Sequence, residues 1–240
     1  MNETHQDGAG DHDDLILFAR ATSFPGAAVV VDLMQQGQGE RLLLMVRGAG
    51  VEQVLARVRG KLHCMGAEPT MLARLKPSRI LLASLEGIEA ILPAALGWRV
   101  WGAIQSATQA SFCNHSGLEQ LNVYAGVALA QLLQRRGRLR RVLYVGTAMA
   151  CGIGQGPDAR IVEQPEPALT ERAHLVPYTR SNALCDLLPR KLRPSLPLVV
   201  VRPSIIVCHT RLGCIHSSSI YRFFALSHAW RKHGAAGAED

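Results

Sequence analysis

A doubly wound, parallel α/β sheet is the fold that this sequence predicts, and three observations carry the prediction. Six short apolar runs are continuous rather than alternating, as in strands covered on both faces. Segments with helical spacing separate most of them. The first run passes through a tight turn, Arg20-Ala21-Thr22-Ser23-Phe24-Pro25-Gly26, straight into an apolar helix. Strand, turn and helix in that order open a nucleotide-binding βαβ unit.

Residues 1–13 are polar and rich in Gly and Asp, so a disordered leader is expected. Residues 14–19 (DLILFA) form the first strand, and the helix after the turn reaches Met34 before a Gly-rich stop. Residues 41–47 (RLLLMVR) are the second strand, followed by a helix over 51–64. The third strand is 79–82 and the fourth 99–104, which runs into Gln105-Ser106-Ala107-Thr108. A helix with Leu118, Leu121, Val123, Val127, Leu129, Leu132 and Leu133 extends to Arg136. Residues 142–145 are the fifth strand, a helix starts near Pro177, and 198–201 make the sixth strand after Pro194 and Pro197. Such a chain forms a Rossmann-type sheet of about six to seven strands with helices on both faces. Its ligand crevice lies at the carboxyl ends of the strands. The expected organisation is a folded domain over 14–228 and a flexible tail over 229–240.

Composition narrows the function classes. Of the 240 residues, 48% are hydrophobic and 19% charged, values typical of a folded globular chain. No apolar run approaches the roughly 18–20 residues of a membrane span, and the acidic start lacks the layout of a signal peptide. A cytoplasmic location is expected. The six cysteines are scattered and read as reduced, mostly buried residues. Cys208, His209, Cys214 and His216 match no common zinc spacing, so no metal site is expected. The net charge of +7 combines an acidic leader with a basic body. Its densest cluster is Arg135, Arg136, Arg138, Arg140 and Arg141, around Gly137. The cluster suits a helix end, with cations facing the negative end of the dipole. No aromatic residue interleaves it, so a nucleic-acid partner is not expected.

The chemistry-bearing stretch runs from Arg141 to Asn182. An apolar run ends in Gly146-Thr147-Ala148, and about thirty residues later Tyr178 opens a helical segment. A hydroxyl at a strand end followed by a helical tyrosine is how a redox α/β domain presents an acid to a carbonyl. One helical turn after that tyrosine stands Asn182, where a lysine would serve this chemistry.

Residues 196–214, LPLVVVRPSIIVCHTRLGC, resemble the R-P-S-I-V-x-G-H-T-R-L-G block of a known family. Leu44-Met45-Val46-Arg47 is similar to its L-V-R segment, Asn122-Val123-Tyr124-Ala125-Gly126 to its N-V-x-G, and Tyr178-Thr179-Arg180-Ser181 to its Y-x-x-S. The family is the extended short-chain dehydrogenase/reductase superfamily. Within it, the chain resembles the NAD-binding domain of fatty acyl-CoA reductases, the male-sterility and thioester-reductase group, over residues 14–228. The resemblance implies a reductase that moves hydride from NADPH to an acyl thioester on coenzyme A or an acyl carrier. It also implies site roles. Arg20, Thr22, Ser23, Phe24 and Gly26 would form the pyrophosphate turn, and Arg47 would face the ribose 2′-phosphate. Ser106, Ala107 and Asn122 would border the cofactor, and Pro203, Ser204 and Ile205 would line its nicotinamide end. Thr147 would hold the carbonyl, Tyr178 would donate the proton, and Asn182 would complete the catalytic set.

Departures from the family pattern collect along the same groove. Its G-x-x-G-x-x-G turn reads Arg20, Ser23, Gly26, which places a Cβ and a long side chain where the first glycine of a tight turn should be bare, and a serine where backbone should approach the pyrophosphate. Asn182 brings no charge to Tyr178. Ala83-Ser84-Leu85 stands for Gly-Asp-Leu, Gln105 for a histidine, Gly146 for a serine, Cys208 for a glycine and His216 for a proline. Weakened NADPH binding and an impaired reductase are the expectation, with a truncated C-terminal substrate lobe. The alternative is a non-catalytic nucleotide-binding scaffold of the same fold. A homo-oligomer is left open.

Overall fold

The computed structural model describes residues 14–83, 92–106, 123–136, 138–154, 156, 158, 160, 173–174, 176–207, 209–212 and 220–234. The leader 1–13 and the candidate residues Ala107 and Asn122 lie outside them, as do Ser84, Leu118, Leu121, Gly137, Cys208, Cys214 and His216. The chain divides into two units, Met1–Pro203 and Ser204–Asp240.

The first unit holds β1 (Leu15–Ala19), β2 (Leu42–Val46), β3 (Ile80–Leu82), β4 (Val100–Gln105), β5 (Arg141–Val145) and β6 (Leu198–Val201). They form one sheet in the order β3-β2-β1-β4-β5-β6. Every neighbouring pair is parallel. The order reverses between β1 and β4, which opens a crevice at their carboxyl ends. Helices α1 (Phe24–Gln35), α2 (Val51–Cys64), α3 (Pro69–Arg74), α4 (Ala94–Gly97), α5 (Ala125–Arg135) and α6 (Pro177–Leu192) complete the unit. The doubly wound sheet therefore stands as expected, with strand ends displaced by one residue at most. The short helices α3 and α4 carry too few turns to leave a periodic signal.

Alternation along β1 explains why its run is wholly apolar. Leu15, Leu17 and Ala19 join a buried cluster with Leu43, Met45, Leu129, Leu132 and Leu133, which places α5 on that face. Phe18, Leu42 and Leu44 are equally buried and serve the other face. There Val30 and Val31 of α1 and Val54, Leu55, Val58 and Leu62 of α2 supply the covering residues. Coverage fails at β6, where Val199 and Val201 are 43% and 39% exposed. Among the described residues this strand has one neighbour in the sheet, β5, and Leu198 and Val200 pack inward.

At the amino ends of the strands one arginine outside the 135–141 cluster meets an aromatic ring. The Arg41 guanidinium lies over the Trp101 ring, 5.8 Å from its centroid. The Arg140 N–H donates to the Trp101 carbonyl at 2.8 Å. Arg138 also pairs with Asp14 at 2.9 Å. All of this lies at the end of the sheet opposite the crevice.

The second unit contains α7 (Ile220–Gly234), which continues past the boundary expected at 228. Phe224, Leu226 and Trp230 on it are exposed. In the same unit the Nδ1 of His209 accepts from the Arg211 and Leu212 N–H groups at 3.1 and 3.2 Å, which closes a local turn. No helix among the described residues is long and apolar enough to cross a membrane.

One glycine fixes how closely α1 approaches β1. A Cβ on Gly26 would lie 2.5 Å from the Arg20 carbonyl oxygen and 2.7 Å from Ser23 Oγ. Gly26→Ala must push backbone apart at the crevice, and we expect it to cost about 1–3 kcal/mol in urea unfolding. An unchanged unfolding midpoint would show that this packing is not tight in solution.

Candidate active site

The turn after β1 holds the first of its three glycine positions in a glycine-like conformation. Arg20 takes φ 68°, the left-handed region, so the first position is occupied by a residue in a glycine-like conformation. Its carbonyl accepts from Ser23 N–H and Ser23 Oγ, both at 3.1 Å. Ser23 caps α1 by accepting from the Gly26 N–H at 3.1 Å. Thr22 and Phe24 flank this cap, both half-buried. At the neighbouring strand end, Ser106 Oγ donates to the Ala19 carbonyl at 2.8 Å, which braces β4 against β1 across the crevice.

Two cations gather at the carboxyl ends of β1 and β2. Burial lowers the Arg20 pKa below its ordinary value, the Arg47 charge lowers it further, and Tyr178 acts in the opposite direction. Arg20 is half-buried, whereas Arg47 is exposed and its carbonyl accepts from the Arg57 guanidinium. Arg20, just before the amino end of α1, with the Arg47 charge near enough to act on it, suits a phosphate-bearing ligand, because bound phosphate would relieve their repulsion. By the chemistry of this donor set, the crevice fits a dinucleotide.

Thr147 and Tyr178 come from separate elements that pack together. Thr147 Oγ1 accepts from the Met149 N–H at 3.3 Å and caps the 3-10 turn Ala148–Cys151. That turn packs against α6. The cap uses a lone pair and not the proton, so it leaves the Thr147 hydroxyl able to donate to a carbonyl oxygen. The turn is tied to β6 by Gly146 N–H donating to Val201 O and Ala148 N–H to Pro203 O, both at 2.9 Å. Pro203 therefore contributes its backbone here. Ser204 and Ile205 belong to the second unit, where both are exposed.

Tyr178 sits in the first turn of α6, half-buried, next to Pro177 at the helix start. Asn182, one turn on, is not presented to the crevice. It is 1% exposed. Its Oδ1 accepts from the Tyr144 hydroxyl and its Nδ2 donates to the Tyr178 carbonyl, both at 2.9 Å. The amide is held at both ends inside the protein, so the side chain faces the sheet.

From residue 21 to residue 233 the sequence matches the family described as Male sterility protein, a family of NAD-binding domains. The chain belongs to that family. No curated protein matches the sequence. Among solved structures, it is similar to a thiolation-reductase di-domain from an archaeal non-ribosomal peptide synthetase, at TM-score 0.68 and 15% identity. That match covers 89% of this chain and 58% of the other. The terminal R domain from the myxalamid PKS-NRPS biosynthetic pathway matches at TM-score 0.66 and 20% identity, over 82% and 50%. A dTDP-glucose 4,6-dehydratase from Bacillus anthracis in complex with NAD matches at 0.54 and 18%, over 79% and 54%. The chain thus spans between half and three-fifths of the length of these structures.

Four residues of this male sterility family domain were given no role by the sequence reading. Asp186 and Arg202 form a buried pair: Asp186 Oδ2 accepts from Arg202 Nε at 2.7 Å and also from Nη2. Arg190 adds a longer contact to Oδ1 at 3.4 Å. The i, i+4 spacing of Asn182 and Asp186 was a signal available in sequence. Tyr144 was not foreseeable, because nothing in an apolar strand marks one residue as the partner of a helix forty positions away.

The buried polar core behind Tyr178 carries a pH signature. Burial pushes the Cys185 thiol up to about 12, against the lowering effect of its hydrogen bond with Tyr144. Burial also raises the Tyr144 phenol well above its ordinary value. Both groups are neutral when protonated, so unfolding lets them ionise at lower pH. Their contribution is complete below the unfolded thiol value of about 8.5 and declines as pH rises towards 12. We expect flat stability from pH 7 to 8 and a loss on the order of 1–2 kcal/mol by pH 10. Cys185→Ala should flatten part of that slope in urea titrations. An unaltered slope would place the loss elsewhere.

Proposed function

We propose that this chain forms the nucleotide-binding part of an NAD(P)H-dependent reductase of acyl thioesters. The observation that carries the reading is the packing of the Thr147 turn against the helix of Tyr178, beside the β1/β4 crevice. When bound, a reduced nicotinamide would supply hydride to the thioester carbonyl carbon. Thr147 Oγ–H holds the carbonyl oxygen, and Tyr178 gives it a proton. The resulting hemithioacetal releases a thiol and leaves an aldehyde. Arg47 and Arg20 hold cofactor phosphate, and a guanidinium after β2 favours NADP over NAD. The reductase domains among the similar structures, one of them joined to a thiolation domain, support a thioester held on a carrier protein.

One observation favours a second reading. With Asn182 turned inward and Arg20 in the turn, a nucleotide-binding scaffold without turnover fits the same fold. NADPH titration followed by hydride transfer to a long-chain acyl thioester separates the two. The reductase reading expects micromolar or tighter binding, with turnover removed by Tyr178→Phe while binding persists. Binding without turnover favours the scaffold, and no binding by a folded chain defeats both.

A further inference from the structure

We infer that Tyr144, Gly146 and Asn182 form one adapted unit, in which Asn182 is a positioning residue that fixes Tyr178 from inside the protein. This deepens the reductase reading and rests on it only for the kinetic arm of the test below.

The geometry is a continuous chain from strand β5 to the backbone of the tyrosine. The Tyr144 hydroxyl on β5 donates to Asn182 Oδ1, and Asn182 Nδ2 donates to the carbonyl of Tyr178, each at 2.9 Å. Tyr144 is 3% exposed and Asn182 1%, so water does not compete for either bond. The same strand, two residues after Val145, delivers Thr147. The Tyr144–Asn182 link therefore sets the helix turn of Tyr178 against the strand that positions Thr147.

Gly146 belongs to this arrangement for a separate reason. A Cβ at that position would lie 3.2 Å from Cε1 of the Tyr144 ring and 3.6 Å from the Val201 carbonyl oxygen. A serine there, as the family pattern has, would crowd the ring. Two departures from that pattern, Gly146 and Asn182, thus accommodate one aromatic side chain. A further side-chain bond tightens the turn: Ser181 Oγ donates to the Tyr178 carbonyl at 2.9 Å.

The test uses the full chain with 13C-labelled tyrosine, whose four residues give a countable NMR spectrum. Tyr144→Phe removes one oxygen and keeps the ring. We expect it to move and broaden the Tyr178 resonance, and to lower kcat about tenfold or more with the KM for NADPH within about twofold. The pair Tyr144→Phe/Asn182→Leu replaces both polar partners with apolar ones. It should recover the thermal midpoint without recovering the Tyr178 resonance or kcat. Recovery of all three together would reduce the unit to a structural contact and overturn the inference. A Tyr178 resonance unmoved by Tyr144→Phe would overturn it as well. If the wild-type chain shows no turnover, the reductase reading fails while the resonance of Tyr178 still decides this one.

Discussion

Asn182→Lys is expected to destabilise the protein by about 3–5 kcal/mol instead of restoring a catalytic cation. Motif comparison alone would rank this substitution first among repairs, since a lysine one turn after Tyr178 suits the chemistry. The structure gives position 182 a different environment. Asn182 is almost wholly buried, and its Oδ1 is the acceptor for the Tyr144 hydroxyl. A lysine offers no acceptor, so the phenol proton loses its partner while an ammonium group enters the same space. Unfolding in urea should register the loss, and for a chain of this size the thermal midpoint should fall by roughly 6–20 °C. Tyr144→Phe added to Asn182→Lys should return part of the stability, because it removes the orphaned donor. A stable Asn182→Lys protein with tighter NADPH binding would show instead that the side chain turns easily to the crevice.

Particular residues show where sequence reading succeeds and stops. The strands of the sheet were legible because covering both faces forces continuous apolar runs, and β1 is buried along its whole length. Gly26 was legible because only glycine permits α1 to approach the Arg20 carbonyl so closely. The position of Asn182 was legible from its spacing to Tyr178, yet its direction was not. A spacing of four puts two residues on one helix face without saying whether that face meets the crevice or the sheet. Tyr144 decides the matter, and its pairing spans 38 residues of sequence. Arg20 teaches a similar limit: the sequence shows a long side chain where a tight turn wants a bare backbone, but not that the arginine adopts the left-handed conformation itself. Left-handed geometry costs a non-glycine residue roughly 1 kcal/mol or somewhat more, which neighbouring hydrogen bonds can offset.

Asp186→Asn should be the most damaging neutral substitution on α6, with a loss of about 3–5 kcal/mol. Asp186 is 1% exposed and accepts two bonds from Arg202, whose own side chain is 12% exposed. An amide keeps one acceptor but cannot balance the guanidinium, so a cation is left in a poorly solvated place. The consequence reaches the candidate active site through the backbone. Arg202 directly precedes Pro203, whose carbonyl receives the Ala148 N–H beside Thr147. Loosening Arg202 should therefore release the turn that orients Thr147, and hydrogen exchange at Ala148 should accelerate more than exchange at β1. Replacing both charges, as Asp186→Leu with Arg202→Met, should cost much less than Asp186→Asn alone, since the one partner left behind, Arg190, is 42% exposed and solvated. Equal losses from the single and double variants would mean that packing of α6 against β6, and not charge balance, is what the pair provides.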